Sequence, residues 1–253
     1  MKIIFHEKYR TVYTSDPAAA PGRIEAIIDK LKGAYEFVEP EPATEDDLKL
    51  AHTDSHIAYV RSLGVVYDVA VLAVGGAIKA AQIAYEGEPA FGVIRPPGHH
   101  ASRDSCWGFC YFNNIAIAIL KLMKLGLVKN ALIIDIDLHF GDGTVDIFSK
   151  NPNVRYYHLP HGSREKQLEE LEEFLKEESS VSYDIIGISA GFDRHEADWG
   201  RTLKTEDYKV IGRMIKDFAR KTCNDRVFAV LEGGYNHNVL GINVKALIEG
   251  LER

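Results

Sequence analysis

An α/β fold with a mainly parallel central sheet flanked by helices, built as a single domain over residues 1–253, is what the sequence predicts. Three observations carry it. Short apolar runs alternate with longer segments of helical periodicity from one end of the chain to the other, the pattern of strand–helix–strand crossovers. Neither an internal repeat nor a linker-like stretch divides them. Four of the apolar runs end in polar clusters, GHH (98–100), DLH (137–139), FDR (192–194) and EGGY (232–235). Open α/β sheets keep their ligand sites at the carboxyl ends of strands, so these clusters converge on one crevice.

The elements follow in order. Residues 2–5 (KIIF) read as a short buried strand, leading into an Ala- and Pro-rich loop over 6–21. Residues 22–32 carry Ile24, Ile27, Ile28 and Leu31 at helical spacing. Arg23 opens that helix, where a cation opposes the dipole; it either turns into a polar pocket or is solvated, and solvated is the expectation. Residues 36–38 form a minor strand. Thr44 caps a helix with Asp47 three residues on, an acid shorter than usual in a capping box. That helix ends near His52, assigned a structural role, and another spans 55–63. A long helix over 67–85 contains Gly75 and Gly76, small residues that suit close packing. Residues 91–94 form a buried strand, and the polar stretch 95–114 follows it. Helix 115–125, strand 131–137, short helix 145–149, strand 154–158, charged helix 165–178, strand 184–191, amphipathic helix 205–221, strand 226–231 and closing helix 239–251 complete the chain.

The stretch 131–144 (ALIIDIDLHFGDGT) organises the rest. Asp135, Asp137 and His139 occupy every second position, so on an extended chain they leave one face. Two carboxylates and an imidazole on an apolar strand are costly to bury unless something compensates them. A divalent metal does so; a solvated edge strand is the alternative, and the short spacing alone does not choose between them. The pair His99–His100, presented by PPG, is either a pair of loop histidines satisfied by main chain or acid/base machinery, and its place at a strand end favours the second. Asp193 follows a buried strand and a glycine, as a helix cap or as a third metal ligand. With Asp137 and His139 it makes an O, N, O set with an open fourth position, suited to a catalytic Zn²⁺ and tolerated by Mn²⁺ or Fe²⁺. Tyr235, after two glycines, is either a packing residue or one able to swing into the site.

Composition excludes several classes. The 253 residues are 46% hydrophobic and 26% charged, an ordinary globular balance. A net charge of -7 argues against nucleic-acid and anionic-membrane partners. Nucleotide-binding glycine loops are absent. Three cysteines without framework spacing, and an N-terminus without a long apolar segment, give a cytoplasmic expectation. No apolar run approaches the roughly 18 residues of a membrane span. A monomer is slightly favoured.

RPPGHHA (95–101), GFCYFNN (108–114), DIDLHFGDGT (135–144), AGFD (190–193) and LEGGYN (231–236), in that order, resemble the histone deacetylase and acetylpolyamine amidohydrolase superfamily, its class II and prokaryotic branches in particular. The resemblance covers nearly the whole chain. It implies an arginase-like fold and metal-dependent hydrolysis of an N-acyl amide on a primary amine, such as acetyl-lysine in a peptide or an acetylpolyamine. It places Asp137, His139 and Asp193 as zinc ligands, His99 and His100 as the tandem histidines, and Asp135 and Asp142 as their respective acids. Tyr235 is the carbonyl-binding tyrosine, Phe109 one aromatic wall and Gly108 a main-chain contact for substrate. His100 is the choice for general base, with His99 in an electrostatic or shuttle role. The resemblance also implies a structural K⁺ near Asp135 with the carbonyls of Asp137 and His139, and a second near Phe148, Asn151 and Val154.

Departures from the family pattern bear on substrate. The segment after His56 and the loop after His158 are short, so the second aromatic wall is missing unless His161 or Pro160 stands in. Phe140 replaces a frequent histidine, Trp199 sits where DPLGG-like residues are common, and no gatekeeper glutamate for polyamines is in place. A shallow, open site is therefore the expectation. An arginase-like dinuclear ureohydrolase and a non-catalytic acetyl-ligand binding module are the competing readings.

Overall fold

The computed structural model describes residues 1–252. Seven strands form one sheet: β1 (Lys2–Ile4), β2 (Glu36–Val38), β3 (Ala90–Gly92), β4 (Ala131–Asp135), β5 (Val154–His158), β6 (Ile185–Ala190) and β7 (Val227–Leu231). Their order is β2-β1-β3-β7-β6-β4-β5, and every pairing is parallel. The four strands whose ends carry the polar clusters, β3, β7, β6 and β4, are consecutive in that order. Their carboxyl ends therefore meet at the middle of one edge. Parallel strands buried on both faces read as continuous apolar runs, and β4, β6 and β7 are buried at every position.

Among the described residues nine α-helices cover the faces. They are α1 (Arg23–Leu31), α2 (Glu45–Leu48), α3 (Asp54–Arg61), α4 (Val65–Tyr85), α5 (Asn114–Lys124), α6 (Asp142–Phe148), α7 (Arg164–Glu177), α8 (Thr205–Thr222) and α9 (His237–Glu252). The capping box of Thr44 and Asp47 at α2 forms as the spacing predicts. α4 is long and apolar enough to cross a membrane by length and composition, which corrects the reading of its sequence as too short. Most of it is buried within the protein, as a core helix is. Its small residues are there for contact: a Cβ on Gly75 would lie 1.9 Å from the Glu41 carbonyl oxygen.

Candidate active site

Regular pairing of β4 stops at Asp135, two residues short of the expected end. Beyond it Asp side chains take over the main chain. Asp135 Oδ1 accepts the Asp137 N–H at 3.0 Å, and Asp137 Oδ1 accepts the His139 N–H at 2.9 Å. Such bonds two residues on are how Asp turns a chain. The three residues consequently serve two places instead of lining one face. Asp135, fully buried, turns to His99; Asp137 and His139 turn to Asp193.

Asp137, His139 and Asp193 bring one ligand atom each within 4.8 Å of one another. His139 Nδ1 lies 3.3 Å from Asp137 Oδ1 and 3.1 Å from Asp193 Oδ2. Main chain orients both carboxylates: Gly233 N–H donates to Asp137 Oδ2 at 2.8 Å, and Leu138 N–H to Asp193 Oδ1 at 3.0 Å. Asp193 Oδ2 is buried with no hydrogen-bond partner among the described residues. Burial, and then the nearby Asp137 charge, push the Asp193 carboxyl up to about 6. The O, N, O set is one that suits a divalent cation. A Cβ on Gly191 would lie 2.1 Å from Asp137 Oδ2, so only glycine lets β6 pass this close.

Opposite stand the tandem histidines, their ring centroids 4.1 Å apart. His99 Nδ1–H donates to Asp135 Oδ2 at 3.0 Å, and the Tyr156 hydroxyl donates to the same oxygen at 2.9 Å. Burial opposes a charge on His99, but Asp137 and Asp135 outweigh it and hold its pKa well above the ordinary imidazole range. His100 Nδ1–H donates to Asp142 Oδ1 at 2.6 Å. Burial and the His99 charge depress its pKa. Trp107 stacks on His100 at 3.9 Å and donates its indole N–H to Asp142 Oδ2 at 2.8 Å. Glu232 Oε2 accepts the N–H groups of Gly98 and His99, at 2.7 and 3.2 Å, which sets the turn carrying both rings. His52 is structural, as expected: it bridges the Ser102 carbonyl and the Asn113 N–H.

Tyr235 closes the third side. Asp198 Oδ2 accepts the N–H groups of Tyr235 and Asn236, each at 2.8 Å, and the Trp199 ring stacks on Tyr235 at 4.1 Å. Burial, then the Asp137 charge, raise the phenol pKa well above its ordinary value, so its hydroxyl stays a donor. The expectation of a solvated Arg23 is overturned. Its side chain is fully buried, donates from Nε to the Gly234 carbonyl at 2.8 Å and from Nη2 to that of Glu232 at 2.6 Å, and lies 5.4 Å from the centre of the Tyr235 ring. Main-chain carbonyls compensate it where the dipole of α1 does not.

Gly108 and Phe109 have consecutive positive φ, 59° and 66°. For Phe that is uncommon and costs about 1–3 kcal/mol, a feature of segments held for function. The Phe109 ring meets Tyr235 edge-on at 6.0 Å. Together His99, His100, His139, Gly108, Phe109 and Tyr235 line a cavity of about 130 Å³, with Trp107 and Trp199 beside them. Neither His161 nor Pro160 reaches it; both tryptophans do, which corrects the missing wall. The volume is small against the roughly 300–1,000 Å³ of drug-sized ligand pockets, which suits a shallow site.

All ten predicted site residues are thus gathered at one sheet edge. Tyr156, Glu232, Asp198 and the two tryptophans were not foreseen. Trp199 left a signal as an unusual residue within a recognised motif, and Glu232 as the first residue of the EGGY cluster, with no role attached to it.

The histone deacetylase domain pattern matches residues 18–167 and 158–251. This chain belongs to the histone deacetylase family. A probable deacetylase of Archaeoglobus fulgidus is 32% identical over 92% of this chain and 81% of its own length. Another, of Methanothermobacter thermautotrophicus, is 30% identical over 91% of this chain and 84% of its own. In fold the chain is similar to the crystal structure of the HDA15 HD domain, with a TM-score of 0.88 at 24% identity, covering 99% of this chain and 88% of that one. As a member of the histone deacetylase family the chain is a hydrolase of the deacetylase type.

Proposed function

We propose that this deacetylase hydrolyses the N-acyl amide of a primary amine, with a short acyl group such as acetyl, around a single divalent ion held by Asp137, His139 and Asp193. Zinc is the first choice and Mn²⁺ or Fe²⁺ is tolerated by the same ligands. The observation that carries the reading is the convergence of three ligand side chains, two differently poised histidines and a neutral tyrosine on one small cavity.

The bound metal supplies Lewis acidity to the amide carbonyl and to a water molecule. His100, held through Nδ1 by Asp142 and depressed in pKa, takes a proton from the attacking water at Nε2. His99, cationic between Asp135 and Asp137, balances the negative charge that develops. Tyr235 donates its hydroxyl to the carbonyl oxygen as it becomes an oxyanion, a contact worth about 3 kcal/mol. His100 then returns its proton to the departing nitrogen. One amide and one water become a carboxylate and a free amine. Phe109 and the tryptophans surround the carbon chain next to the reacting amide.

The acylated amine is a small molecule or a peptide, with acetyl-lysine and acetylpolyamines the two classes to compare; the acidic chain does not favour nucleic acid or membrane. A dinuclear ureohydrolase is disfavoured because both oxygens of Asp135 are already engaged, by Asp137, His99 and Tyr156. The test is acid release by the zinc-loaded protein from an acetyl-lysine peptide, a long-chain acyl-lysine peptide and an acetylated polyamine, with metal counted per chain. Acetyl substrates should exceed the long-chain one, one metal should be bound, and Tyr235→Phe should lower kcat by about 10²–10³ without releasing it. Two metals per chain with no acyl turnover would sink the reading, and unchanged turnover in Tyr235→Phe would remove the tyrosine from it.

A further inference from the structure

Arg194 follows directly on Asp193 and is completely buried. No acidic side chain forms an ion pair with it among the described residues. Its donors go instead to carbonyl oxygens. Nε reaches the carbonyls of Ile136 at 3.2 Å and Asp137 at 3.0 Å. Nη1 reaches the Pro160 carbonyl at 3.0 Å and Gln167 Oε1 at 2.9 Å. Nη2 donates to the Leu159 carbonyl and lies 3.2 Å from His158 Nε2, which is itself 3.0 Å from the Asp137 carbonyl. A cage of main-chain carbonyl dipoles around one buried positive charge is the means by which proteins hold a dehydrated monovalent cation. Here the charge is covalently attached.

The family resemblance implies a structural K⁺ bound through Asp135 and the carbonyls of Asp137 and His139, a set that shares the Asp137 carbonyl with this cage. The residues present do not fit it. Asp135 Oδ1 accepts the Asp137 N–H, and the Asp135 carbonyl accepts the Leu159 N–H at 2.8 Å. The Asp137 carbonyl has Arg194 on one side and the His158 ring on the other. A potassium ion sharing that carbonyl would stand against a fixed guanidinium in a water-excluded site, where like charges repel strongly.

We propose that Arg194 is the built-in cation of this cage, replacing the exchangeable K⁺ and positioning the turn 136–139 that carries Asp137 and His139. The inference uses the family reading only to say which ion is replaced; the cage does not depend on which amide is cleaved. Its consequence is a metal-ligand segment that needs no monovalent ion, with Arg194 a positioning residue linked in sequence to Asp193.

The experiment has two arms, neither of which relies on turnover. Crystals of the wild-type protein grown in rubidium chloride should show no anomalous peak either at Asp135 and the carbonyls of Asp137 and His139 or among the carbonyls of Ile136 and Leu159; a peak there overturns the proposal. Thermal unfolding is then compared in potassium and choline chloride at equal ionic strength. Arg194→Met should gain a potassium-specific rise in Tm, roughly 3 °C or more above any rise in the wild type, as a vacated cage takes up the ion. Equal responses of the two proteins, present or absent, would also overturn it. Should Arg194→Met fail to fold, the rubidium map of the wild type decides alone. Loss of acyl turnover in the wild type, by contrast, would count against the proposed function and leave the cage untouched.

Discussion

His99 and His100 are neighbours in sequence and nearly touch in space, and each donates through Nδ1 to an aspartate. The two pairs nevertheless occupy different media. Asp135 is fully buried and shared with Tyr156, whereas 46% of the Asp142 side chain is exposed and its other partner is a half-exposed tryptophan. Burial strengthens Coulomb interaction, so the inner pair, with Asp137 close by, holds His99 charged. In the outer pair burial and the His99 charge depress His100, against the pull of its own partner Asp142, whose carboxylate is partly screened by water. One dipeptide thereby presents two imidazoles of opposite pKa shift to the same cavity. The difference in role comes from the partners, since the residue types are the same.

The largest effect expected from breaking this division is at the base. His100→Ala should lower kcat about 10²–10⁴-fold, with metal stoichiometry and fold retained. Steady-state kinetics on both single alanine variants checks it: a greater loss in His99→Ala would reverse the assignment.

Next comes the stability contrast. Asp135→Asn leaves His99 without its buried counter-charge and should cost about 3–5 kcal/mol. Asp142→Asn, half exposed, should cost no more than about 1 kcal/mol. Denaturant unfolding of the two variants measures it, and equal losses would mean that the two pairs do not differ in burial as described.

The smallest and most discriminating effect is in the pH profile. A base of depressed pKa puts the acid limb of kcat/KM below about pH 6.5, the ordinary imidazole value. Asp142 raises the His100 pKa, so Asp142→Asn should move that limb further toward acid while reducing the plateau about 10–100-fold. Were the raised His99 the base, the limb would lie above pH 6.5 and ignore Asp142.

Much of this site was legible in the chain because its parts obey local rules. Alternation of apolar and helical segments gives the class of fold, and β5 begins and ends where its pattern does. The clusters ending β3, β4, β6 and β7 could be assigned to one crevice because parallel strands share a direction. What failed were inferences that needed a neighbour. Arg23 looks solvated because arginine usually is, although its place at a helix start speaks for a polar pocket, and only the loop of β7 shows that carbonyls await it. Tyr156 is an ordinary strand residue until β5 pairs with β4, opposite Ile133, and its hydroxyl reaches Asp135.

The sequence by itself determined which groups are present at the strand ends, because the backbone direction and the period of two are properties of the chain. The tertiary structure decided how each group is charged and what holds it. Asp135 and Asp137 lie two residues apart, yet one turns to His99 and the other to the cluster with His139 and Asp193. Arg194 beside Asp193 becomes a caged cation, on the Asp137 carbonyl that resemblance alone gives to a potassium ion. Burial, dipole direction and the distance to a counter-charge are pairwise quantities in three dimensions, and no stretch of the chain encodes them until its partners are in place.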